Sequence, residues 1–128
     1  DPAGRPAAQV PPPGGPSMRA PLGRVVGARS GDKGGNANLG VWARSPGGYA
    51  WLDGFLTVER LRALLPEAAA LEVRRYAFPN LLALNFVIVG LLGEGVASST
   101  RPDPQAKGLG EHLRARLVDL PASLGQAP

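Results

Sequence analysis

The sequence predicts an α+β fold, a two-layer sandwich in which an antiparallel or mixed sheet of about four strands carries helices on one face. Three observations predict it. Short β-branched or alternating apolar segments come in pairs. Stretches with apolar residues at helical spacing follow each pair. The 128 residues include no Cys, so a packed core rather than a disulfide framework must hold the chain together.

Residues 23–29 (GRVVGAR) are β-branched and read as the first strand. Residues 36–44 (NANLGVWAR) place Leu39, Val41 and Ala43 on one face and read as the second. A polar, Gly-rich loop is expected between them. Ser45-Pro46-Gly47-Gly48 has turn chemistry. Tyr49, Trp51, Leu52 and Phe55 then follow at helical spacing, interrupted by Gly54. Thr57 is an N-cap for a helix whose apolar face is Val58, Leu61, Leu64 and Leu65, and Pro66 limits that helix.

Residues 71–78 (LEVRRYAF) read as a strand with one solvated face, with a bulge or twist expected at Arg74-Arg75. Pro79-Asn80 turns the chain. Residues 84–92 (LNFVIVGLL) are apolar on both faces, as in a central strand. Residues 93–95 (GEG) break it, and residues 96–101 (VASSTR) read as a short extended piece. Residues 105–118 space Leu109, Leu113 and Leu117 four apart, which makes an amphipathic closing helix. The resulting order is strand, strand, helix, strand, strand, helix. A four-stranded sheet with two helices on one face follows, and the nearest named architecture is ferredoxin-like.

Residues 1–21 are mostly Pro, Gly and Ala and are expected to form a flexible linker or tail. The folded domain is expected over residues 22–120, with a second tail over 121–128. A linker needs something on its other side. The chain is therefore expected to be the C-terminal piece of a longer polypeptide or a processed product, with a true start at Met18 as the alternative.

The formal charge of +4 comes from Arg and Lys interleaved with Asp and Glu, the pattern of a solvated surface. The chain lacks the aromatic-rich basic strand of RNA-recognition domains, so no nucleic-acid partner is expected. The most apolar run, 81–92, is far short of the roughly 20 residues that a membrane-spanning helix needs, so no membrane partner is expected either. A single His and no Cys leave no basis for a metal site, and no cofactor is expected. Cys-free composition agrees with a reducing cytoplasm.

The candidate site lies within residues 28–44 (ARSGDKGGNANLGVWAR), where Ser30, Gly31, Asp32, Lys33, Gly34, Gly35, Asn36 and Asn38 crowd small polar groups and charges into one connection. Three readings are open. Gly31, Gly34 and Gly35 permit positive φ while Asp32, Asn36 and Asn38 bond nearby backbone, which is purely structural. Consecutive glycine N–H groups with Arg29 and Lys33 make an anion nest. Ser30 or Asp32 beside Lys33 is a catalytic alternative, although no His is near Ser30 in sequence. The spacing matches neither a Walker A loop nor a dinucleotide fingerprint. Asn80 and Asn85 form a second cluster, and Asn85, inside an apolar strand, must find hydrogen bonds. Ligand binding or domain docking is thus assigned to Arg29, Ser30, Gly31, Asp32, Lys33, Gly34, Asn36, Asn38, Asn80 and Asn85. No catalytic residue is assigned. Tyr49, Trp42 and Trp51 are available as partner anchors, with core packing the plainer role of Trp51.

The strings ARSGDKGGNANLGV, FPNLLALNFVIVGLLGEGV and STRPDPQAKGLGEHLRARL resemble the AtuA-like C-terminal domain of the acyclic terpene utilisation family, over about residues 22–120. The resemblance implies a ferredoxin-like fold and, in many members, a larger N-terminal domain. It implies a setting in the breakdown of acyclic terpenoids through CoA thioesters, but no defined reaction. The expected function is an accessory C-terminal domain of such a protein, not expected to be catalytic alone. In it the Gly-rich loop binds an anionic ligand or docks the larger domain. The alternative is an interaction or oligomerisation module with no ligand of its own. Expected partners are the larger N-terminal domain or a partner subunit, a CoA thioester, and, in a homo-oligomer, a second copy of the chain.

Overall fold

Strand alternation builds the sheet. The computed structural model describes residues 17–91 and 104–125. In β3 (Asn36–Ala43), Ala37, Leu39, Val41 and Ala43 are buried, while Asn38, Gly40 and Trp42 point the other way. β2 (Val26–Lys33) pairs antiparallel with it, from Val26 opposite Ala43 to Lys33 opposite Asn36. β4 (Val73–Phe78) and β5 (Ala83–Ile88) form a second antiparallel hairpin. β3 and β5 join the hairpins, so the order across the sheet is β2-β3-β5-β4.

α1 (Pro46–Phe55), α2 (Val58–Leu64) and α3 (Pro104–Ala115) cover one face. Leu52 and Leu56, Leu61 and Leu65, and Leu109 and Leu113 share one buried core with Leu39, Val41, Leu84, Phe86 and Ile88. Trp51 belongs to that core and stacks on Phe55 at 4.5 Å between ring centres. A ferredoxin-like sheet is commonly threaded β-α-β-β-α-β. Here the four strands of the sheet and the helices on it run β-β-α-α-β-β-α, the same antiparallel sheet with the last strand of the common order moved to the front.

The differences from the sequence reading have local causes. The expected polar loop is mostly strand, because β2 runs to Lys33 and β3 begins at Asn36, leaving only Gly34 and Gly35 as the turn. Both have positive φ, +63° and +94°, as the tight type I′ turn of a hairpin requires. The expected turn at 45–48 is the start of α1. Ser45 Oγ accepts the Gly48 N–H at 3.0 Å, and Pro46 occupies the first turn, where its missing N–H costs nothing. Thr57 caps α2 through the Arg60 N–H at 3.1 Å.

β4 carries no bulge, because Arg74 and Arg75 stand in unbroken register opposite Val87 and Phe86. Arg75 turns to the helix side and donates to the Leu56 and Asp53 carbonyls and to the Asp53 carboxylate, closing the C-terminal end of α1.

The closing helix ends at Ala115, and Leu117 is 55% exposed at the start of β6 (Leu117–Pro121). Val118 and Leu120 are buried instead, so a strand period replaces the helical one. β6 pairs antiparallel with β1 (Ser17–Pro21), a segment read from composition as linker. A single helical turn, α4 (Ala122–Gly125), follows within the expected tail. Residues 1–16 of the expected linker and the extended piece at 96–101 lie outside the described residues.

A Gly34→Val variant is expected to lose about 1–3 kcal/mol of stability, because valine at positive φ is strained. Gly54→Ala, in α1 with open space at the new methyl, is expected to gain about 0.5–1 kcal/mol. Urea denaturation of both variants checks the pair.

Candidate functional site

Among the described residues no helix covers the other face of the sheet, and the register sorts it into three rows. The first row is Gly27, Trp42, Ala83 and Phe78, the second Arg29, Gly40, Asn85 and Tyr76, and the third Gly31, Asn38, Val87 and Arg74. Among the described residues, none of these outward positions carries a carboxylate. Trp42, Tyr76 and Phe78 are exposed there, and Leu81 lies just past the end of β4.

Gly40 is the floor of a depression of about 340 Å³ lined by Arg29, Ser30, Gly31, Asn38, Gly40, Trp42 and Asn85. The missing side chains of Gly31 and Gly40 make the hollow, because their neighbours along and across the strands stand up around it. Arg29 flanks Gly40 on β2 and Asn85 flanks it on β5. Trp42 and Asn38 stand two residues to either side along β3, about 7 Å each way at strand spacing. The Trp42 indole lies across Gly27, where a Cβ would come within 2.4 Å of the ring.

Asn38 and Asn85 bond each other reciprocally. Asn85 Nδ2 donates to Asn38 Oδ1 at 3.0 Å, and Asn38 Nδ2 donates to Asn85 Oδ1 at 3.4 Å. Two half-buried amides therefore satisfy each other, and each keeps one N–H and spare carbonyl capacity. Among the described residues no carboxylate pairs with Arg29. Arg74, on the far row, is held by Glu72 at 2.7 Å, and that bond pushes its pKa up.

The sequence motif divides between the two faces of the sheet. Arg29, Gly31, Asn38 and Asn85 meet in the depression. The Ser30 side chain points to the helix layer, where its Oγ accepts the Gly110 N–H of α3 at 3.0 Å. The helix comes this close because residue 110 is glycine. A Cβ there would lie 3.3 Å from the Ala28 carbonyl carbon. Arg114, one turn on, donates to the Val26 and Gly23 carbonyls and ties α3 to the edge strand.

Asp32, Gly34 and Asn36 belong to the hairpin tip. Asp32 Oδ1 accepts the Gly35 N–H at 3.3 Å, so the chain's own carboxylate occupies a turn N–H that a nest would offer to an anion. Asn36 Oδ1 accepts the Gly90 N–H at 2.7 Å, fixing the end of β5. Lys33 ends β2, and its side chain lies outside the described atoms. Asn80 is exposed in the turn between β4 and β5, at the opposite end of the sheet from Gly34. Gly40 and Trp42 complete the depression and were not among the sequence candidates. The available signal was a glycine inside an alternating strand, which often marks close approach of another group.

Among the described residues, no group of three or more His, Asp and Glu side chains is placed to hold a metal ion, and no helix is long and apolar enough to cross a membrane. A family model for the AtuA ferredoxin-like domain matches residues 20–119. The chain belongs to this AtuA ferredoxin-like family. No curated protein and no solved structure matches it. The AtuA match runs from inside β1 to inside β6 and so includes the whole sheet and the depression.

Two measurements separate architecture from surface in this AtuA domain. Ser30→Ala is expected to cost about 1 kcal/mol, through loss of the bond to α3, whereas Arg29→Ala should stay within about 0.5 kcal/mol. Both are read from urea midpoints. In a double-mutant cycle on Asn38→Ala and Asn85→Ala, the double variant is expected to lose less than the sum of the singles, by about 0.5–1.5 kcal/mol. Strict additivity would mean that the amide pair contributes nothing.

Proposed function

We propose that this chain is an accessory C-terminal domain of a cytoplasmic protein of acyclic terpenoid and acyl-CoA catabolism, and that it binds rather than transforms. The observation that carries the reading is the Gly40 depression. It gathers a cation that no carboxylate pairs with among the described residues, an amide pair and an exposed indole, with Glu72 held by Arg74 at the far edge of the sheet. An arginine in that setting is suited to a phosphate or carboxylate, which it can hold with two parallel bonds. The catabolic setting rests on the family resemblance, in which the substrates are anionic CoA thioesters. The ligand site is accordingly the sheet face, with the Gly34-Gly35 hairpin as its support.

A second reading has its own observation. Trp42, Tyr76, Phe78 and Leu81 are exposed large apolar side chains at one end of this face, as a domain-docking surface requires. In that reading the larger N-terminal domain covers the face and shares in enclosing the ligand.

Amide-resolved NMR titration of the chain with CoA and with short branched acyl-CoA esters tests the ligand reading. The expected result is saturable shifts centred on Arg29, Asn38, Gly40 and Asn85. Unchanged spectra at millimolar ligand would reject it and leave the docking surface.

A further inference from the structure

We propose that the Gly40 depression recognises a nucleoside monophosphate unit, with the base against Trp42 and the phosphate on Arg29. The inference rests on the reading of the depression as a ligand site and names which part of a ligand enters it. Three groups around one glycine carry it.

Trp42 is a mounted ring. The indole rests on Gly27, and the residue is still 40% exposed and lines the depression, so the ring offers surface to solvent beside the hollow. Planar heterocycles stack on such a surface, and nucleobases do so regardless of sequence. Arg29 stands two residues along β2 from Gly27, on which the Trp42 ring rests. The separation is about 7 Å at strand spacing, on the scale of the distance from a base to its 5′-phosphate. The Asn38–Asn85 pair lies on the remaining sides, and its uncommitted N–H and carbonyl groups can meet the donor and acceptor edge of a base.

Size and charge restrict the alternatives. A hollow of about 340 Å³ lies at the small end of ligand sites and has room for one base with its sugar phosphate. The outward positions of the described strands bear no Asp or Glu, and the Glu72 carboxylate that reaches this face is paired with Arg74 on β4, at the opposite edge of the sheet from Arg29. A simple carboxylate would use Arg29 but leave the indole and the amide pair without a role. A single-stranded polymer would need stacking surfaces and cations in series, yet Arg74 is already paired with Glu72.

Isothermal titration and amide-resolved NMR on the 128-residue chain, at low salt, provide the test. The probes are AMP, adenosine, ribose 5-phosphate, pantetheine and a short single-stranded oligonucleotide. AMP is expected to bind saturably at Arg29, Asn38, Gly40, Trp42 and Asn85, and ribose 5-phosphate about tenfold or more weakly, lacking the base. Arg29→Ala is expected to weaken AMP about tenfold and leave adenosine nearly unchanged.

Gly40→Val is expected to abolish AMP binding in a chain that still gives a folded spectrum. A Cβ at that position meets Asn85 Oδ1 at 3.7 Å and the Arg29 carbonyl at 3.9 Å, both ordinary contacts, and β-branched residues suit strands.

Equal affinity for AMP and ribose 5-phosphate would overturn the proposal while leaving an anion site. Binding of pantetheine alone would likewise overturn it and preserve the broader reading. An oligonucleotide far tighter than AMP would make a polymer the occupant and reject a mononucleotide site. Failure of every probe, with CoA and acyl-CoA also silent, would remove both the proposal and the reading beneath it.

Discussion

Everything on the open face depends on the two-residue turn at Gly34-Gly35. In a strand pair, side chains alternate between faces, and a slip of one residue exchanges the two sets. The turn sets Lys33 opposite Asn36, and that register sends Leu39 and Val41 into the core while Asn38, Gly40 and Trp42 face outward. A slipped hairpin would bury Arg29 and Asn38 under α3 and expose Leu39. The cost of burying an unpaired guanidinium and an amide far exceeds the strain a turn can store. The core and the depression are therefore two consequences of one register, enforced by two glycines at positive φ.

Ser30 and Arg29 show how adjacent residues acquire unrelated duties. Ser30 holds the helix layer by accepting the Gly110 N–H, and Arg29 faces outward beside Gly40. A motif that looks like one chemical cluster in the linear sequence is thus divided by the plane of the sheet. The side bearing Ser30 contributes to stability, and the side bearing Arg29 carries charge into the depression at Gly40. Asp32 adds a third role, bonding the turn that fixes both.

Much of the fold was legible because it is written in local periodicity. Leu39, Val41 and Ala43 declared a face of β3, and Thr57 declared the start of α2. Elements that depend on distant partners were harder to read. Ser17–Pro21 looks like linker because its strand identity comes from pairing with residues 117–121, a hundred positions away. Leu117 fell into a helical spacing by coincidence, and the competing alternation of Val118 and Leu120 was too short to dominate. Of the residues that line the depression, Arg29, Asn38 and Asn85 stand out in the sequence by residue type. Gly40 does not, because the hollow is defined by side chains on three strands whose register no linear reading supplies.

The β1–β6 ribbon carries a mechanical consequence. Ser17 stands opposite Pro121, so the outer ends of the two ribbon strands lie side by side. Tension applied through residues attached at those ends would load the ribbon by peeling, opening one rung at a time rather than shearing all rungs together. The ribbon is a separate sheet and would yield first, as a small cooperative unit of its own. The four-stranded sheet would keep its register, and the Gly40 hollow its shape, while the attachment lengthened. The ribbon would thus act as a mechanical fuse between the four-stranded sheet and any load applied at its ends.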